Sequence, residues 1–146
     1  MTIRLTSIAV SWGVQNGDAH LKNFGVLYDD PNGSVNLSPA FDIVSTTAYI
    51  RNDVPALTLG GSKKWWKLQQ LENFGQSHCG LKPVEAREAL RRLAQALTEQ
   101  SRAIESFIEQ RPVFNEAGRI MLEIFAHSAT TRSSHLEGKA VKAKRK

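Results

Sequence analysis

Apolar side chains recur along this chain at two different spacings, and the change from one to the other divides it. Ile3, Leu5, Ile8, Ala9, Val10 and Trp12 lie close enough together for a mostly buried helix over Ile3 to Val14, although the β-branched content leaves a strand open. Asn16-Gly17-Asp18 follows as a turn signal. Phe24 to Tyr28 and Ser34 to Leu37 then read as two short strands around Asp29-Asp30-Pro31-Asn32-Gly33. Pro31 fixes one turn dihedral and Asn32-Gly33 tolerates positive φ, so a hairpin with a longer loop is predicted. Ser38-Pro39 closes the second strand, and a third extended segment is expected at Ala56 to Leu59.

Downstream the period becomes helical. Leu68 to Phe74 is a short helix that Gly75 is expected to end, with His78, Cys79 and Gly80 in the loop beyond it. From Pro83, suited to a first helical turn, Ala86, Leu90, Leu93, Leu97, Ile104 and Ile108 recur at three, four and seven residues. This predicts a long amphipathic helix ending near Arg111-Pro112. A last helix over about Asn115 to His127 takes Asn115 as N-cap and buries Ile120, Ile124 and Phe125. The periodicity stops after Ser128. The expected organisation is one domain over residues 1–127, mainly α with a small β-hairpin (α+β), and a basic, disordered tail over residues 128–146.

Composition narrows the functional classes. At 146 residues, 41% hydrophobic and 23% charged, the chain can bury one core and is too short for two complete domains. Lys139, Lys142, Lys144, Arg145 and Lys146 account for the whole net charge of +5, so the body is balanced and carries no basic docking face. Direct nucleic-acid contact is therefore not expected. A single cysteine, Cys79, forms no internal disulfide and reads as a small packing residue. No apolar run approaches the roughly 20 residues that span a bilayer, and the N-terminus lacks a signal-peptide core. The expectation is a cytoplasmic protein without membrane contact.

The chemistry is concentrated in Asn16-Gly17-Asp18-Ala19-His20-Leu21-Lys22-Asn23. Asp18 and Asn23 have the D-x-x-x-x-N spacing of a kinase catalytic loop, where the aspartate accepts the substrate hydroxyl's proton and the asparagine ligates magnesium through its amide oxygen. Alone, the spacing is common and both residues are better read as turn caps. What favours chemistry is Asp42: a hairpin running out and back returns Phe41-Asp42-Ile43 to the loop it left, supplying the second carboxylate that a phosphoryl-transfer metal needs. Phe41-Asp42-Ile43 then stands in the place of a kinase D-F-G element, with Ile where Gly is usual.

Those residues, together with Leu37-Ser38-Pro39-Ala40-Phe41-Asp42-Ile43-Val44-Ser45 and Leu57-Thr58-Leu59-Gly60-Gly61, resemble the C-terminal part of HipA-like serine/threonine kinases, the toxins of bacterial toxin–antitoxin systems. The resemblance is firm over about Ile3 to Gly61 and looser to about Phe125. It implies the C-lobe of a protein-kinase-like fold, a protein substrate, ATP and Mg2+, with Asp18 as base, Asn23 and Asp42 as metal ligands, and Lys22 as a catalytic-loop cation near the transferred phosphoryl group. His20 resembles the family's loop histidine, with a loop-shaping role.

Other candidates carry blander readings. Lys22 fits a solvated side chain as well as a phosphate contact. His78, His127 and His135 lack metal-ligand spacing, and Trp65-Trp66 beside Lys63-Lys64 reads as packing rather than base stacking. Neither a glycine-rich phosphate loop nor a strand lysine can be placed, and Gly60-Gly61-Ser62-Lys63-Lys64 lacks P-loop spacing. Seventeen residues precede Asp18, so the expectation is that a separate N-lobe chain completes ATP binding and that the isolated chain is inactive. The alternatives are a noncatalytic remnant or interaction module binding a DNA-binding antitoxin, and a nucleic-acid contact through the tail and Trp65-Trp66.

Overall fold

The computed structural model describes the backbone of residues 2–143 and the side chains of residues 4–130. Four helices and one hairpin carry it: α1 (Thr2–Gly13), β1 (Val26–Leu27), β2 (Asn36–Leu37), α2 (Leu68–Ser77), α3 (Pro83–Gln110) and α4 (Asn115–Ala143). The mainly α, single-hairpin class expected above is what forms, and α1 is a helix rather than a strand. Its Leu5, Ala9 and Trp12 share one face and are buried, so burial outweighs the β-branched preference of its neighbours.

The 28-residue α3 is the backbone of the core. Pro83 occupies its first turn, and the Glu85 carboxylate accepts the Lys82 N–H at 2.6 Å, satisfying a donor at the helix start. Its apolar stripe of Leu90, Leu93 and Leu97 packs with Ala9, Trp12 and Val14, with Leu68 and Leu71 of α2, and with Ile124 and Phe125 of α4. A smaller cluster of Leu5, Cys79, Leu81, Ala86 and Ala89 closes the other end. Burial pushes the Cys79 thiol up from its ordinary value, in keeping with a packing role.

Gly75 lies inside α2 instead of ending it. A Cβ there would stand 2.8 Å from Leu5 Cδ2 and 3.3 Å from Ala86 Cβ, so the glycine is where α2 approaches α1 and α3. One turn earlier, Glu72 is 2% exposed and accepts a 3.0 Å bond from Arg87 Nη1, an ion pair tying α2 to α3 beneath the surface.

Three further expectations are corrected. Ala56 to Leu59 forms no strand; the described residues show only an isolated bridge between Leu59 and Ser62, because Gly60 and Gly61 turn the chain through positive φ. Asn115 is the first residue of α4 and not its N-cap: a 3₁₀ turn over Pro112–Phe114 leads directly into the helix, and the Asn115 side-chain oxygen accepts Arg119 Nε at 2.6 Å. Finally, α4 continues past His127 to Ala143. The side chains of Lys139 and Lys142, and all of Lys144 to Lys146, lie outside the described residues. Among the described residues no helix is long and apolar enough to cross a membrane.

Candidate active site

The site begins where α1 stops. Gln15 N–H donates to Trp12 O at 3.1 Å and Asn16 N–H to Ser11 O at 2.8 Å, the paired bonds of a Schellman ending. Such an ending needs a left-handed residue after the helix, and here it is Gln15, at φ 52°, where glycine is usual. The chain turns sharply off the helix, and Asn16 drops into the interior at 2% exposure.

Two segments distant in sequence grip this turn. Ser45 Oγ donates to Val14 O at 2.6 Å, Thr46 Oγ1 to Gln15 O at 3.2 Å and Thr47 Oγ1 to Gln15 Oε1 at 2.8 Å, while Thr46 Oγ1 accepts the Gly17 N–H at 2.7 Å. The left-handed cost at Gln15, of order 1–2 kcal/mol, is thus offset by three consecutive hydroxyl side chains. Asp53 also presses on the turn: a Cβ on Gly17 would stand 2.0 Å from Asp53 Oδ2, so only glycine fits.

A 3₁₀ turn over Leu21–Asn23 then carries the chain to β1. β1 and β2 pair antiparallel with Val26 opposite Leu37 and Leu27 opposite Asn36, and Ser38 N–H adds a bond to Gly25 O at 2.9 Å. The strands are shorter than predicted, but their register is enough to bring Asp42 back to the loop. The Asn23 side-chain amide donates to Asp42 Oδ2. Asn16 Nδ2 donates to the Asp42 carbonyl at 3.0 Å, and Asn16 Oδ1 accepts the Asp18 N–H at 3.1 Å. Asp42 sits at φ 55°, a second left-handed non-glycine residue in the same small volume.

Of the sequence candidates, Asn23 and Asp42 are in direct contact and Asp18 is bound through its backbone to the side chain that also holds Asp42. Asp18, Lys22 and Asp42 are exposed, whereas Asn23 is buried. Asn23 Oδ1 and His20 Nδ1 are buried without hydrogen-bond partners. A crevice of about 10 Å³, the size of one water, runs beneath Asn23 and Asp42 between Ser7, Ser11 and Ser38. An unsatisfied amide oxygen beside a carboxylate is a hard-oxygen donor set that suits Mg2+. No group of three or more His, Cys, Asp or Glu side chains able to hold a metal occurs among the described residues. The donor set therefore fits an ion that keeps waters or phosphate oxygens as its remaining ligands, which is how Mg2+ is ordinarily held at nucleotides.

Sequence reasoning did not single out Asn16, Gly17, Ser45, Thr46, Thr47 or Asp53 for their part in this architecture. The Asn-Gly turn signal and the family resemblance touched Asn16, Gly17 and Ser45 without assigning them this part, since bonds spanning some thirty residues leave no local pattern. The other candidates behave as packing groups. Trp65 and Trp66 rest against the core, with Trp65 Nε1 donating to Asp53 O at 3.1 Å, and His78 stacks on Phe74 with ring centroids 5.0 Å apart.

Residues 3–101, more than half of the chain, match the HipA-like C-terminal domain family. A protein of Sinorhizobium fredii (strain NBRC 101917 / NGR234) named "Putative kinase Y4dM" is 42% identical over 60 residues, 40% of this chain. The matched part is 14% of that relative's length. No solved structure matches the chain. With a family match running from the first turn of α1 far into α3 and enclosing every residue of the Asp18–Asn23–Asp42 cluster, the chain belongs to the HipA-like C-terminal domain family.

Proposed function

We propose that this chain supplies the metal-and-base half of a HipA-like kinase that transfers the γ-phosphoryl group of ATP to a serine or threonine of a protein. The observation that carries the reading is the hairpin's return of Asp42 onto Asn23, five residues from Asp18 along the loop. Asp18 orients the acceptor hydroxyl and takes its proton; Lys22, exposed on the same loop, offers positive charge to the phosphoryl oxygens. Asn23 and Asp42 are the residues that would hold Mg2+, which when bound neutralises charge on the phosphates. For that, the Asn23 amide would turn toward the ion its oxygen rather than the NH2 group that donates to Asp42.

The surface around the site supports a second element of the reading, a partner lobe that holds the nucleotide. Val26, Leu27, Tyr28, Val35, Phe41, Ile43 and Val44 are all at least 41% exposed, a density of apolar groups that marks an interaction surface. Between Val26 and Val44 the chain carries Asp29, Asp30 and Asp42 and no lysine or arginine, so the fitting partner is apolar with basic residues. A cytoplasmic toxin acting in a toxin–antitoxin pair is the setting this function implies.

The test is transfer of labelled γ-phosphate from Mg–ATP to a protein mixture, with the chain supplied with and without a HipA-like N-lobe. Transfer to serine or threonine is expected only when both are present, and Asp18→Asn is expected to lower it by roughly 10²–10⁴-fold, the worth of a positioned base. Equal transfer by Asp18→Asn would refute the assignment. A noncatalytic module that docks an antitoxin is the second reading, favoured by the open apolar groove of about 540 Å³ between Val10, Leu97, Ile104, Phe107, Phe114 and Phe125. It predicts antitoxin binding that is lost on Ile104→Glu and unaffected by Asp42→Asn.

A further inference from the structure

The base and the metal carboxylate come from segments joined by a hairpin whose strands are two residues each, too slight a lever to fix one against the other. Something else must set their separation. We infer that Asn16 and Thr46 are positioning residues that clamp the Asp18 loop to the Asp42 segment; the inference rests on the roles proposed above for Asp18 and Asp42.

Asn16 is the direct bridge. Its one side chain accepts from the Asp18 N–H at 3.1 Å and donates to the Asp42 carbonyl at 3.0 Å, so a planar amide of fixed dimensions is the spacer between the two candidate residues. At 2% exposure it has little access to water that could replace either bond. Thr46 is the complementary pin, reaching from the Asp42 side back to the Asp18 side. Its hydroxyl accepts the Gly17 N–H at 2.7 Å and donates to Gln15 O at 3.2 Å, which uses both its donor and one acceptor site on the same loop. The two pins run in opposite directions: Asn16 belongs to the loop and holds Asp42, whereas Thr46 follows Asp42 and holds the loop. Together they close a ring through Asn16, Asp42, Thr46 and Gly17 that a single contact could not make rigid.

Asn16 is buried and the Thr46 hydroxyl is engaged by the loop, so both act through Asp18 and Asp42. The chemistry of the pins also specifies what substitutes. Serine at 46 keeps the hydroxyl, valine keeps the shape without it, and aspartate at 16 keeps the oxygen that accepts from Asp18 while removing the amide donor to Asp42.

The experiment uses the full chain with Mn2+ as the probe, read by paramagnetic broadening of backbone amides in nitrogen-15 spectra, alongside amide hydrogen exchange. In the unsubstituted chain Mn2+ is expected to broaden the Asp18 and Asp42 amides together, at a fixed ratio. In Thr46→Val and Asn16→Asp broadening at Asp42 persists and that at Asp18 falls, while Thr46→Ser keeps the original ratio. The Gly17 amide in Thr46→Val is expected to exchange roughly fivefold faster, the factor one ordinary net hydrogen bond represents. An unchanged broadening ratio in both disrupting variants overturns the clamp. Where Mn2+ broadens nothing in the unsubstituted chain, the metal reading of the site fails instead, and the clamp is then judged by exchange alone: unaltered Gly17 and Asp18 exchange in the variants overturns it. Circular dichroism identifies a variant that has not folded, and Thr46→Ser against Thr46→Val then decides the question, because the pair differs at one hydroxyl.

Discussion

Replacing Gly17 with alanine adds one methyl group at the most crowded point of the site, and its cost can be worked through atom by atom. The new Cβ would stand 2.0 Å from Asp53 Oδ2, 2.5 Å from Asp53 Cγ and 2.9 Å from Thr46 Oγ1. An ordinary carbon contact is about 3.5 Å, so the Asp53 carboxylate must swing away by more than an ångström. Doing so breaks the bond its Oδ1 accepts from the Val54 N–H at 2.9 Å, and backbone retreat is resisted by the Trp65 Nε1 bond to Asp53 O at 3.1 Å. Losing one such bond and straining the Thr46 pin costs about 2–4 kcal/mol, against about 0.4–1 kcal/mol regained from the stiffer unfolded chain. The expected net loss is about 1–3 kcal/mol, measured by urea unfolding. Asp53→Ala removes both the colliding oxygen and its carbon, so the Gly17→Ala/Asp53→Ala double variant should recover much of the loss in a double-mutant cycle. A Gly17→Ala chain within 0.5 kcal/mol of the original, or a cycle with no coupling, would show that the contact between loop and Asp53 is not what demands glycine.

Two further outcomes concern the helical scaffold. Arg87→Met should destabilise the chain by about 2 kcal/mol, less than the 3–5 typical of a fully buried pair because the Arg87 side chain is 34% exposed, and Glu72→Gln in the same chain should restore part of it; thermal melting reads both. Hydrogen bonds from Arg91 and Arg92 hold the Glu88 carboxyl down at about 2 from an ordinary 4.5. Because the folded value is the lower one, the stability this group adds is present above 4.5 and is lost as pH falls through about 2. A carbon-13 titration of Glu88 should show that low midpoint and an upward move in Arg91→Ala; a midpoint near 4.5 in the original chain would contradict it.

How far the sequence could be read depended on the range of the forces involved. The long helix from Pro83 and the hairpin around Asn32-Gly33 were legible because periodicity and turn chemistry act within a few residues. The pairing of Asp42 with Asn23 was legible for a topological reason, since a hairpin must bring its flanks together. Gly75 was misread because a glycine that stops a helix and one that admits a neighbouring helix look alike until Leu5 and Ala86 are seen against it. Asn115 misled similarly: its side chain favours a cap, but the preceding Pro112–Phe114 turn already supplies the helix entry. The hydroxyls of Ser45, Thr46 and Thr47 gave no signal, for their partners lie at the end of α1 and any loop carries such residues.

The Schellman ending of α1 also sets which length changes this architecture can absorb. Leu5 and Ala9 are fixed in the core, so one residue inserted between them and Gln15 would advance the helix end by about 1.5 Å and rotate it by about 100°, carrying Asn16 and Asp18 out of reach of Asp42. The loop over residues 29–33 has no such constraint, because it lies beyond the paired residues Val26–Leu27 and Asn36–Leu37, whose register it need only connect. Insertions there leave the carboxylates in place. The hairpin tip is thus the part of this fold free to vary in length, and the helix end is where a single added residue dismantles the site.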